Sequence, residues 1–195
     1  MRAVIVDAAY RVFYKEGFGR ARLDVIAEAA GVSKRTLYYH FDSKDELLAA
    51  VLEAQHELVF ASVRGWADGP DVAPEDLVRR LFDKYGAWSR QPGWQGSGFT
   101  RSVMELADLP GHPARAVARR HKTAIEDWLT HQLTGYGAMR PEQVARQIML
   151  LIEGCHSLIL IHGDSDYAEA ASDAAVLLVR QTCLRKDGAQ TPPAR

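Results

Sequence analysis

Apolar residues recur every three or four positions along most of the chain, which is the spacing of helices buried on one face. The first helix is predicted from about Arg2 to Glu16, and its buried stripe comprises Ile5, Ala8, Ala9, Val12 and Phe13. No useful length alternates apolar and polar residues with period two, so no sheet is expected. Later helices are predicted at 44–65, 74–89, 97–107, 113–133, 141–162 and 166–184. The pattern therefore predicts an all-α fold.

Residues 22–41 are predicted to form two short helices joined by a tight turn. Gly31 supplies the backbone freedom for that turn, and Ser33 can cap the second helix by accepting from its free amides. Leu37 and Phe41 face inward, whereas the other side chains of the second helix are donors and aromatic hydroxyls. Such groups meet phosphates and base edges, so the segment is predicted to be a helix-turn-helix that reads DNA.

These residues carry a resemblance to a known family. The segment AGVSKRTLYYHFDSKDELL, preceded by an amphipathic helix and by Gly17-Phe18-Gly19, resembles the N-terminal domain of TetR-type transcriptional regulators, from about Ile5 to Leu52. The resemblance implies an all-helical homodimer that binds double-stranded operator DNA. It implies a three-helix DNA-binding domain at 1–52 and a larger helical effector-binding and dimerisation domain at 53–185, and we expect a flexible tail at 186–195.

The DNA contacts are predicted on the second helix of the motif and beside it. A helix in the major groove presents its N-terminal residues to base edges, so Lys34 and Arg35 are the candidates for base reading. Lys44 begins the next helix, where its charge and the helix amides are suited to a backbone phosphate. The full predicted set is Arg22, Ser33, Lys34, Arg35, Thr36, Tyr38, Tyr39, His40 and Lys44.

Two positions depart from the family pattern. Ala21-Arg22 stands where relatives usually carry Thr or Ser before the second helix, so the side-chain cap is lost and Arg22 becomes a candidate phosphate clamp. Arg35 occupies a position that is often small in relatives, so its base preference does not follow from theirs. The sequence also begins almost at the first helix, without the basic arm that many relatives carry, so either the start is short or further residues precede it.

The resemblance implies an effector pocket among helices five to eight, although aromatic residues at helical spacing more often belong to a plain core. We predict that the pocket takes an apolar or aromatic molecule and is formed by Tyr85, Trp88, Phe99, Glu105, His121, Trp128, Met149 and His156. The apolar faces of helices 141–162 and 166–184, Leu151 included, are predicted to form the homodimer interface. The alternative is burial of these faces inside one subunit.

Charge, cysteine content and missing motifs restrict the classes of function that the chain can have. The net charge is −1, yet the segment from Arg11 to Phe41 has six basic against three acidic residues, as expected if one end approaches DNA. No uninterrupted apolar run approaches the roughly 18 residues of a membrane span, so no membrane association is expected. Two cysteines in 195 residues favour a reducing cytoplasm. HExxH, Walker, GxSxG and paired CxxC motifs are missing, so neither an enzyme nor a metal or cofactor site is predicted.

The sequence therefore favours a ligand-responsive, sequence-specific DNA-binding regulator, specifically a repressor that a small apolar molecule releases from its operator. One alternative is a sensor with the same fold that acts through a protein partner, for which the missing arm and lost cap are the hints. The other is an all-helical enzyme, which has little support.

Overall fold

A computed structural model describes residues 1–67 and 72–183 of the chain. Across these residues the helices are α1 (Arg2–Glu16), α2 (Leu23–Ala29), α3 (Lys34–His40), α4 (Lys44–Ala67), α5 (Pro74–Ser89), α6 (Gly98–Glu105), α7 (Pro113–Gly135), α8 (Pro141–His162) and α9 (Asp166–Thr182). The only extended pairing within these ranges is an isolated bridge between Ala138 and Cys183. The all-α prediction is confirmed. The predicted tail at 186–195 lies outside the described residues.

The N-terminal helices pack around one apolar core. The whole predicted stripe of α1 is buried, and Leu37 and Phe41 are buried against it. The turn before α3 needs glycine, because Gly31 has a φ of +65°. Ser33 then caps α3, since its Oγ accepts from the backbone N of Thr36 at 3.0 Å. These local features fix α3 with its polar face outward.

Helix α4 connects this core to the rest of the molecule. Ser43 Oγ caps its first turn by accepting from the backbone N of Glu46 at 3.0 Å, while the Glu46 carboxylate accepts from Asp42 N at 2.8 Å. The helix then continues for 24 residues, or about 36 Å. Leu47 near its start lies in the N-terminal core and Val63 near its end lies in a second core. One rigid element therefore belongs to both halves.

The second core lies among α4, α5, α7, α8 and α9. Helix α8 is long and apolar enough to cross a membrane by length and composition alone. Its residues Ile148, Ile152 and Ile159 are nevertheless buried in this core, where α8 packs against α7 and α9. Packing of this kind is typical of the central helix of a helical domain.

The N-terminal core does not end at residue 52. Phe99 and Leu106, which lie in and just after α6, and Val117 of α7 are buried in it, and Val59 of α4 packs against both cores. The two halves therefore share a continuous apolar boundary, and the candidate sites lie on either side of it.

Candidate functional site

The outward face of α3 presents the predicted base-reading residues. Lys34 and Arg35 are exposed in its first turn, and Tyr38 and Tyr39 are 45% and 84% exposed. Leu37 points the other way and is completely buried, so it anchors the helix without joining the face. An exposed helix with cationic donors at its N-terminal end and phenolic hydroxyls behind them has the chemistry needed to contact base edges and phosphates.

The smaller polar residues of this motif already take part in local contacts. The hydroxyls of Ser33 and Thr36 lie 2.8 Å apart and share a hydrogen bond at the start of α3. The His40 ring packs edge-on against Tyr39, with centroids 5.2 Å apart. A hydroxyl that makes one such bond keeps capacity for a phosphate oxygen, so these contacts position the groups without exhausting them.

Arg22 pairs with an acidic neighbour. It begins α2 without a side-chain cap, and its guanidinium bonds both carboxylate oxygens of Asp24, at 3.2 and 2.6 Å. The hydrogen bond from Arg22 lowers the pKa of Asp24, so the carboxylate stays charged. The guanidinium remains exposed, and it has further N–H groups to offer a phosphate.

Lys44 is half-buried beside the loop between α1 and α2. Its Nζ lies 4.5 Å from the centroid of the Phe18 ring and donates to the carbonyl oxygen of Gly19 at 3.3 Å. Burial lowers the pKa of this ammonium. Lys44 thus ties the start of α4 to the loop between α1 and α2, a contact that connects residues 25 positions apart.

The same loop is held from the other side by Glu105, at the end of α6. Its Oε2 accepts from the backbone N of Gly19 at 2.9 Å. Gly17 has a φ of +83°, which favours glycine, and a Cβ there would lie 3.0 Å from Glu105 Oε1, so the carboxylate would have to shift. Glu105 does not line the cavity where the sequence placed it. It connects α6 to the loop between α1 and α2 instead.

Further contacts join the α6 region to the end of α1. Arg101 donates to the carbonyl oxygen of Tyr14 at 3.1 Å. The Tyr14 hydroxyl in turn accepts from the backbone N of Gln95 at 2.9 Å. A movement of α6 would therefore displace α1 and the loop between α1 and α2.

A cavity of about 280 Å³ lies among α1, α4, α5, α6, α7 and α8. Tyr85, Trp88, Phe99, His121, Met149 and His156 all line it, so six of the eight predicted ligand residues come together. Trp128 does not: it is half-buried on α7 and packs against the second core. Which aromatic on a helix faces a cavity depends on how the helix is rotated, and helical spacing alone does not determine this.

Other residues of the cavity wall were not anticipated. Tyr10 and Tyr14 of α1 line it, so the DNA-binding domain contributes to its surface. Both flank the predicted buried stripe of α1 at i, i+4 spacing, a signal that the sequence contained. Lys122 and Glu153 supply its charges.

The charged pair in the wall is internally compensated. The Glu153 carboxylate accepts from Lys122 Nζ and from Thr100 Oγ1, the latter at 2.7 Å. Burial alone would raise the pKa of Glu153, but the charge of Lys122 and these hydrogen bonds hold it below its ordinary value. Within the described residues, no three His, Cys, Asp or Glu side chains cluster as metal ligands would.

Two buried histidines complete the wall. His121 stacks on Phe99 with ring centroids 3.7 Å apart, and its Nδ1 lies 3.1 Å from Nδ1 of His56 on α4. Burial lowers the pKa of His121 to about 3 and that of His156 to about 4, so both rings are neutral at pH 7. The hydrogen bond between His121 and His56 connects the cavity wall to the long helix of the DNA-binding domain.

Comparison with known proteins identifies relatives of both halves. Residues 5–51 match the family described as bacterial regulatory proteins, tetR family. The HTH-type transcriptional regulator TtgR of Pseudomonas putida is 41% identical over 81 residues, which is 42% of this chain and 39% of TtgR. The chain thus covers about two fifths of the length of that relative. The regulator YjdC of Escherichia coli is 24% identical over 97% of this chain and 99% of its own length.

A solved structure extends the similarity to the whole fold. A TetR-family transcriptional regulator from Streptomyces coelicolor superposes with a TM-score of 0.82 at 27% identity, over 93% of this chain and 95% of that one. The similarity covers the helical C-terminal half as well as the helix-turn-helix.

Proposed function

We propose that the chain is a TetR-type, DNA-binding transcriptional regulator, and that it is a ligand-responsive repressor released from its operator by a small apolar molecule. The observation that supports the proposal is the cavity, because its wall combines side chains of α1 and α4 with those of the C-terminal helices. A molecule bound there contacts the DNA-binding domain directly. The regulators among its relatives favour this role over an enzyme, and we place the protein in the cytoplasm with its operator.

We further propose that the protein acts as a homodimer through α8 and α9. Part of the apolar faces that the sequence assigned to this interface is buried inside one subunit. Ile148, Ile152 and Val179 are buried there, and Leu151 packs partly against the core. Leu150, Ile161 and Leu177 are instead 69%, 71% and 56% exposed. Solvent-exposed leucine and isoleucine on two adjacent helices form the surface that a second copy would cover.

The experiment that tests DNA binding is selection of bound duplexes from a random pool by the purified full-length chain. A dimer with two-fold symmetry presents two reading helices, so we expect a partly palindromic site with half-sites about one helical turn apart or a multiple of it. Selection of an asymmetric site bound by one subunit would contradict the dimer. If no sequence is enriched at low salt, the result contradicts sequence-specific DNA binding and favours the alternative that the protein acts through a protein partner.

Two variants separate base reading from phosphate binding. Arg35→Ala is expected to cost roughly 1–3 kcal/mol on the selected site and to relax one base position, because arginine reads guanine bidentately. Lys44→Ala is expected to weaken binding to all DNA sequences alike. It should also reduce the slope of log binding constant against log salt concentration by about one, the effect of one lost phosphate contact. Binding isotherms on the selected site and on single-base variants, at three salt concentrations, measure both effects. Equal losses on every sequence would reduce Arg35 to a phosphate contact.

Release by a ligand obeys reciprocity. A compound that weakens operator binding by a given factor must itself bind more weakly, by the same factor, when operator is saturating. Three tryptophans lie in or beside the cavity, namely Trp66, Trp88 and Trp94, so quenching of intrinsic fluorescence reports occupancy. Candidate compounds are titrated with and without operator. A compound with identical affinity in both titrations occupies the cavity without controlling DNA binding.

A further inference from the structure

The polar group that stands out in the cavity wall is His156. It lies on α8, is only 6% exposed, and is surrounded by aromatic rings, with centroids 4.7 Å from Tyr85 and 5.5 Å from Trp88. Neither Nδ1 nor Nε2 has a hydrogen-bond partner among the described residues. Burying an unpaired polar group is unfavourable, and phenylalanine would fill the same aromatic space without that penalty. The position of this imidazole therefore points to a partner that enters the cavity.

The protonation state of His156 restricts that partner. Burial keeps the ring neutral at pH 7, so it presents one N–H donor and one acceptor nitrogen. A hydroxyl group can donate and accept, and it therefore pairs with either nitrogen in either tautomer. A carboxylate only accepts and an ammonium only donates, so in any one tautomer each can pair with only one of the two ring nitrogens.

The rest of the wall disfavours a charged ligand. Lys122 and Glu153 neutralise each other, and Thr100 takes a further lone pair of the carboxylate. A charged molecule would lose its hydration without finding a free opposite charge. Most of the remaining lining is apolar, including Trp66, Ile125 and Ile152. The volume of about 280 Å³ lies just below the roughly 300–1,000 Å³ of pockets for drug-sized ligands, which favours a small molecule.

We propose that the ligand of this cavity is a small uncharged aromatic molecule that carries a hydroxyl group, and that the hydroxyl pairs with His156. The inference rests on the proposed function, because it takes the cavity to be the effector site. It adds the chemical class of the effector and the residue that selects it.

The test compares ligands that share one ring system. Isothermal titration calorimetry on the full-length chain measures 2-naphthol against naphthalene, which differ only in the hydroxyl. We expect 2-naphthol to bind about tenfold more tightly, the effect of one hydrogen bond to a group otherwise left unpaired. The 2-naphthoate anion and 2-naphthylmethylammonium present the same ring with a charge, and both should bind more weakly than 2-naphthol. Equal affinity for naphthalene and 2-naphthol, or tighter binding of either ion, overturns the proposal.

Variants then assign the preference to one residue. In His156→Phe the preference for 2-naphthol over naphthalene should fall below about twofold, whereas His131→Phe, the same exchange at an exposed position of α7 outside the cavity, should keep it. His156→Gln retains a donor and an acceptor and should keep most of it. A full preference in His156→Phe overturns the assignment, and the wild-type comparison decides the ligand class even if that variant does not fold. If 2-naphthol binds through His156 but leaves operator affinity unchanged, the ligand class holds and the inducer role fails.

Discussion

A Leu150→Glu variant should be monomeric and should lose operator binding by at least a hundredfold. Leu150 is 69% exposed on α8, so the change should leave the subunit folded. In the proposed dimer the same residue is covered by the partner, and an unpaired carboxylate buried there costs several kcal/mol. Because a monomer offers one reading helix instead of two, loss of the dimer also removes the second half-site contact. Size-exclusion chromatography with light scattering and operator titration measure both effects.

Met104→Glu is the matched control for this prediction. Met104 is 66% exposed on α6. Its replacement by glutamate therefore also converts an exposed apolar side chain to a carboxylate, but on a helix outside the proposed interface. It should keep the dimer mass. Leu151→Glu is a less informative choice than Leu150→Glu, because Leu151 packs partly against its own subunit and could destabilise the fold. A Leu150→Glu protein of unchanged dimer mass would place the interface on other helices.

Acidification from pH 7 to pH 5.5 should lower the free energy of unfolding by about 2–3 kcal/mol. Burial lowers the pKa of His121 to about 3 and that of His156 to about 4, while an unfolded histidine titrates near 6.5. Below pH 6.5 the unfolded state therefore binds protons that the folded state does not, so stability falls as pH falls. Each group contributes about 1.4 kcal/mol per pH unit in that window. Thermal unfolding should show a Tm lower by roughly 5–10 °C at pH 5.5.

The contribution of one histidine can be removed separately. His156→Phe has no proton to gain and should show about half of the wild-type change in Tm between the two pH values. His131→Gln, on the exposed face of α7, should show the full change. A Tm that is the same at pH 7 and pH 5.5 in the wild-type protein would mean that these rings do not stay neutral in the folded state.

The reading motif was predictable because its determinants are local. The cap from Ser33 to Thr36 spans three residues, the turn needs one glycine at position 31, and the burial of Leu37 follows from helical spacing. Each of these is a property of neighbouring positions, so the sequence pattern contains it directly. The starts of α5, α7 and α8 were equally predictable, since a proline begins each of them.

The contacts between the halves of the molecule were not predictable in this way. The bond between Glu105 and Gly19 connects residues 86 positions apart, and that between Arg101 and Tyr14 connects residues 87 apart. Spacing along one helix shows which residues share a face, but not which distant helix that face meets. Glu105 was therefore assigned to the pocket on chemical type alone, and Tyr10 was not assigned to it at all.

The contacts at the end of α6 have a consequence for exchanging parts between proteins. Glu105 and Arg101 bond main-chain atoms of the first domain, the amide of Gly19 and the carbonyl of Tyr14, which every sequence of that backbone shape provides. The polar part of this contact therefore requires only glycine at position 17 and an aromatic hydroxyl at position 14. Its apolar part requires side chains that pack against Phe99, Leu106 and Val117. An N-terminal domain from a relative that meets both requirements should dock on this C-terminal half, and if the proposed function holds, the hybrid should respond to the same small molecule at a different promoter.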